Sequence, residues 1–147
     1  NIFEQINWWA PINNIDQTNT LIFYPEYFNQ PIKNTTSTWD LNTYFKKRKL
    51  GEFDYPSAPQ LLEDLKKETK TIRVDINPGE ILCFSGSHLH SSTKENSNTS
   101  RFSYEIRTVS DSDIRGKRYA PNVDCALNAK YPKIFKHMVT KNILEIN

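Results

Sequence analysis

His90, Arg101 and Ser103 are the residues whose types and spacing could do chemistry together. A neutral imidazole offers a lone pair to a divalent metal. An arginine two positions before a serine, on one face of an extended strand, makes a fork for a carboxylate. The planar guanidinium donates two parallel charge-assisted hydrogen bonds and the hydroxyl donates a third. All three residues lie in the run Asn77 to Thr108, NPGEILCFSGSHLHSSTKENSNTSRFSYEIRT. That run reads as a turn, a strand, a histidine, an Asn/Ser-rich loop and a second strand opening on Arg-x-Ser. Its order predicts a site holding both a metal and an acidic cosubstrate. Each piece also has a plain reading, since strand-end histidines and strand arginines commonly serve structure alone.

The neighbours leave alternatives open. Glu105 and Arg107 continue the Arg101 face at a period of two, so they either pair with each other or supply Arg107 as the anchor in place of Arg101. Trp8 and Trp9 occupy adjacent strand positions and face opposite sides, one toward core or pocket wall. Gln5 and Asn7 share the face of Trp9. Cys83 reads as a small buried hydrophobe, because no activating base is placed for it.

His90, with Arg101 eleven residues later and Ser103 beyond it, resembles the distal half of the active site in phytanoyl-CoA dioxygenase-like oxygenases. The segment QINWWAPINNIDQTNTLIFYPEYF, Gln5 to Phe28, is similar to the strand pair that follows the first metal-ligand motif of that family. The resemblance runs from about Gln5 to Val109. It implies a double-stranded β-helix, or jelly roll, that uses Fe(II) and 2-oxoglutarate to hydroxylate a small-molecule substrate. It further implies His90 as a metal ligand, Arg101 and Ser103 as the anchor of the distal carboxylate of 2-oxoglutarate, and Trp8 as a wall of the cosubstrate pocket. The family's other iron ligands come from a His-x-Asp or His-x-Glu motif just before the Trp-containing strand. This chain has none, and its only histidines are His88, His90 and His137. It starts at Asn1 without an initiator methionine, so the expectation is a jelly roll incomplete at its N-terminus, inactive alone, with the missing ligands upstream.

Two rival functions stay open. One is a non-catalytic jelly-roll module that binds a small ligand. The other is a cupin-like metalloenzyme using His88 and His90, which would share a face if the strand is continuous.

Composition bounds the rest. A chain of 147 residues fits one domain. A net charge of +2 carries no electrostatic footprint of nucleic-acid binding, and the cluster Lys46 to Lys49 reads as a solvated helix end. Two cysteines, Cys83 and Cys125, make no disulfide framework and fit a reducing, cytoplasmic setting. No apolar run is long enough to span a bilayer.

The elements that must position the site follow from local pattern. Gln5–Ala10, Thr20–Tyr24, Thr71–Ile76, Ile81–Phe84 and Arg101–Val109 read as strands. Pro78-Gly79 sits at the centre of a type II turn. Asp40 caps a short helix that closes near Gly51, and SAPQLLEDLKKETK from Ser57 predicts a second helix, with Leu61, Leu62 and Leu65 buried. Asp111 to Val123 reads as linker and Tyr131 to Ile146 as an amphipathic terminal helix. The fold class is therefore all-β with helical insertions. Its domains are a partial double-stranded β-helix over residues 1–110, with a helical insertion at about 40–70, and a C-terminal extension over 111–147.

Overall fold

The structure is a computed structural model that describes residues 4–93, 98–118 and 135–144 of the chain. It is built mainly of short strands. β1 (Ile6–Pro11), β2 (Leu21–Phe23), β3 (Ile72–Arg73), β4 (Leu82–Ser85), β5 (His90–Ser92) and β6 (Ser103–Thr108) are accompanied by α1 (Leu41–Lys49) and α2 (Asp111–Gly116). The strands form two antiparallel sheets, ordered β4-β1-β6 and β3-β2-β5. Two compact units are distinguished: one of Ile2–Pro31 and Lys66–Val123, which holds both sheets, and one of Ile32–Leu65 and Asp124–Asn147.

Strand alternation builds the core. β1 buries Asn7, Trp9 and Pro11 and turns Trp8 outward, 40% exposed against 3% for Trp9. Pairing with β4 ends at Trp9↔Leu82, whereas pairing with β6 runs on to Pro11↔Ser103. Pro11 thus sits where no donor toward β4 is needed, the condition under which a strand tolerates proline. From the second sheet, Leu21, Phe23 and Val74 meet Trp9 and Phe84 in one cluster, with the Phe23 and Phe84 rings edge to face at 5.0 Å. Thr20, fully buried, donates from Oγ1 to the Val74 carbonyl at 2.7 Å. Pro25 ends β2 and opens a single 3-10 turn. Gly79, at φ +98°, takes the left-handed position of the Asn77–Glu80 turn, closed by the Glu80 N–H to Asn77 carbonyl bond at 3.0 Å.

In the second unit, Asp40 caps α1 by accepting from the Thr43 N–H at 2.8 Å, and Lys46 to Lys49 fill its last turn. Lys47 meets Glu52 at 2.9 Å and Asp54 at 3.0 Å, so the basic run is a solvated helix end.

The helix expected from Ser57 does not form. The backbone instead lies antiparallel to residues 33–35, through Thr35 N–H to Gln60 carbonyl (2.9 Å), Leu62 N–H to Lys33 carbonyl (2.9 Å) and a bridge between Asn34 and Leu61. Leu62 is 67% exposed and not buried as expected. The terminal helix is also overturned within the described residues: Lys136 and Ile143 bridge antiparallel around a turn in which Lys141 has φ +61°. Residues 131–134 and 145–146 of that expected helix, and Cys125, lie outside the described residues. The expected linker after Asp111 opens instead as α2, where Ser110 caps by accepting from the Asp113 N–H and Ile114 is buried.

Candidate functional site

His90 opens β5 directly opposite Phe23. Its half-buried ring stacks on Phe23 at 5.6 Å and meets Phe84 edge-on at 4.9 Å. Nδ1 lies 2.7 Å from the His88 carbonyl oxygen. A carbonyl only accepts, so Nδ1 carries the proton and the lone pair falls on Nε2. That hydrogen bond is how a metal-binding imidazole is usually oriented, and it makes Nε2 the ligand atom if His90 binds a metal.

His88 does not continue the strand. The chain bends between β4 and β5, closed by the His88 N–H to Ser85 carbonyl bond at 3.1 Å. The period-two argument for a shared face therefore does not reach it. Its ring lies flat on Phe28 at 4.0 Å between centroids, with 10° between planes. Burial first, and the charge of His90 second, push its pKa below the ordinary value. Among the described residues no three His, Cys, Asp or Glu side chains cluster as a metal would need.

Arg101 enters the interior just before β6 begins. Its Nη1 donates to the carbonyls of Asn19 (3.1 Å) and Thr20 (3.0 Å), and its Nη2 donates to Ser92 Oγ at 2.9 Å. The guanidinium carbon stands 5.6 Å from the Trp9 ring centroid, a cation–π placement, and burial lowers its pKa. Thr18, Asn19, Ser92, Thr93 and Arg101 line an open pocket of about 190 Å³. Arg101 is the one charged group in that lining, so the pocket favours an anion. Its Nε–H and one Nη2–H have no partner among the described residues.

His90 and Arg101 are linked through β5, but His90 is not among the residues that line the Arg101 pocket. Phe23 and Leu21 point into the core, and their cross-strand partners are His90 and Ser92. Ser92, two residues along the face of His90, is the hydroxyl that meets Arg101. Ser103 is not. It lies opposite Pro11, exposed and outside the pocket lining. Trp8 is displaced too: it faces outward and donates from Nε1 to Thr108 Oγ1 at 2.9 Å, while Trp9 lies beneath Arg101. Arg107 is taken up by Glu105 on the exposed strand, at 2.6 Å, which leaves Arg101 as the interior cation. Gln5 donates from Nε2 to Asn7 Oδ1 at 2.6 Å. Cys83 is exposed and not buried, because it lies opposite Trp8 on the outward face. The signal for Ser92 was present in the sequence, as the residue two places beyond His90.

No known family model matches the chain, and no match is found among curated proteins or among solved structures.

Proposed function

We propose that the chain carries the carboxylate-binding half of a Fe(II)/2-oxoglutarate oxygenase site on a jelly-roll scaffold. Arg101 receives the distal carboxylate and His90 contributes one imidazole. The observation that supports this reading most is the connection of a histidine and an arginine through one strand, β5. The His88 carbonyl fixes the Nδ1 proton of His90, and two residues along the same strand Ser92 meets a guanidinium that, among the described residues, has two N–H groups without a partner. The order in which the chain visits the sheets suits a jelly roll, since β1, β4 and β6 alternate with β2–β3 and β5 between two facing layers.

Fe(II), when bound with 2-oxoglutarate, would supply the oxidative chemistry that hydroxylates a substrate C–H. His90 fits one ligand position, but the described residues do not complete a ligand set, so no reaction step is assigned to them. What they do is hold an anion. Arg101 gives charge and direction, the Trp9 face fixes its plane, and the Asn19 and Thr20 carbonyls prevent it from swinging out. The second reading is a non-catalytic module that binds a small carboxylate, and the polar pocket beside Arg101 favours it without any metal.

Titration calorimetry with 2-oxoglutarate, with and without Mn(II), separates the two readings. Arg101→Ala should weaken binding by about 2–5 kcal/mol, and Arg101→Lys should recover only part, because an ammonium makes no fork. Binding tightened by Mn(II) and dependent on His90 supports the oxygenase reading. Binding indifferent to both supports the module. Wild-type affinity retained in Arg101→Ala would reject both.

A further inference from the structure

β6 is the edge of its sheet, and its residues Ser103 to Arg107 are exposed on both faces, unlike any stretch of β1 beside it. SYEIRT has no proline, glycine or lysine to blunt that edge, Tyr104, Ile106 and Thr108 are strong strand formers, and the charges it does carry, Glu105 and Arg107, are of opposite sign. The Ile12 N–H donates to the Phe102 carbonyl at 2.8 Å, so Phe102 turns its backbone groups toward β1. By the alternation of an antiparallel ladder, Tyr104, Ile106 and Thr108 do the same. Ser103, Glu105 and Arg107 therefore present their N–H and C=O groups to the open edge. An incoming antiparallel strand must pair with these odd-numbered residues.

We propose that the β6 edge pairs with the β6 edge of a second copy of this chain about a two-fold axis at Ile106. Charge selects both the occupant and the register. With the axis at Ile106, each Glu105 lies opposite the Arg107 of the other copy, and the two Ile106 side chains meet on the outward face. Moving the axis to residue 105 or 107 sets Glu105 against Glu105 or Arg107 against Arg107, and moving it to 104 sets Glu105 against the uncharged Ser103. Directly opposed like charges are destabilising and opposed unlike charges are favourable, so one register remains. A symmetric interface must be self-complementary, and the Glu-x-Arg spacing on one strand face satisfies that condition. The inference uses none of the residues assigned to the carboxylate site.

Sedimentation equilibrium over a concentration series tests it, with circular dichroism confirming that each variant is folded. The wild-type chain should dimerise. Glu105→Arg and Arg107→Glu each place like charges across the axis in a homodimer, and each should weaken self-association at least tenfold. Mixed together, the two variants should form a heterodimer, because the paired arginines on the β6 of one copy then face the paired glutamates on the β6 of the other. A monomeric wild type, or a mixture that stays monomeric, overturns the proposal. So does a dimer that persists in both single variants, which would instead be a stack of outward faces carrying Trp8, Tyr104 and Ile106.

Discussion

The two ends of the sandwich interior solve opposite problems. Around His90 the walls are Phe23 and Phe84, with His88 set on Phe28 nearby, and the polar atoms there are closed locally by the Nδ1 to carbonyl bond. Around Arg101 the walls are Thr18, Asn19, Ser92 and Thr93, and backbone carbonyls take up the guanidinium directly. The aromatic end sets the plane of the His90 ring by stacking. A polar end keeps a cation charged and accessible. The difference shows that a histidine and an arginine only eleven residues apart can be given separate electrostatic environments by one three-residue strand.

Three measurements break or sharpen that contrast. The largest effect belongs to the aromatic end. Phe84→Ala removes a buried ring that touches both Phe23 and His90 and should cost about 3–5 kcal/mol in urea unfolding. A loss under about 1 kcal/mol would show that the aromatic end is not tightly packed. Next is Arg101→Ala, which frees two carbonyls and a hydroxyl beside a pocket that water can enter. It should cost about 1–2 kcal/mol. If it matched Phe84→Ala, the polar end would hold the fold as firmly as the aromatic end.

The smallest effect is a pH dependence at His88, whose folded pKa lies below its ordinary value of 6.5. The unfolded chain then binds the proton more readily, so stability falls as pH drops through 6.5 and levels off below the depressed folded pKa. His88→Gln should flatten that slope, as read from unfolding midpoints between neutral and mildly acidic pH. A slope that survives the change would move the titrating group elsewhere.

How far the fold was legible depended on how local its causes were. The strands at 6–11, 21–23, 82–85 and 103–108 and the turn at Gly79 announce themselves by alternation and turn residues within a few positions. The segment after Ser57 carries helical periodicity, but its state is decided by hydrogen bonds to residues 33–35, about 25 positions away, and no local window holds that information. Trp8 took its expected place from the family resemblance, and local pattern does not correct it. It sits with Ile6 and Ala10 on the more apolar face of β1, yet the buried face is Asn7, Trp9 and Pro11. Apolar content alone chooses the wrong side there, and Ser103 is misassigned because Arg101 turns inward before β6 begins. The sequence singled out His90 and Arg101 by residue type and spacing, and the structure sets the hydrogen bonds each makes. Ser92 and Trp9, which hold Arg101 in place, depend on cross-sheet register.

The position of β1 at the centre of its sheet has a kinetic consequence. Its partners, β4 and β6, lie some 75 and 100 residues further along the chain. Loop closure over such spans is unfavourable until the contacts it brings are made, and chains dominated by distant pairings fold slowly. During synthesis Trp9 must wait for Phe84, and then for β6, before it is covered. Trp9 fluorescence in a Trp8→Phe, Trp39→Phe background should therefore report the last cooperative step of folding, later than formation of the locally capped helix α1.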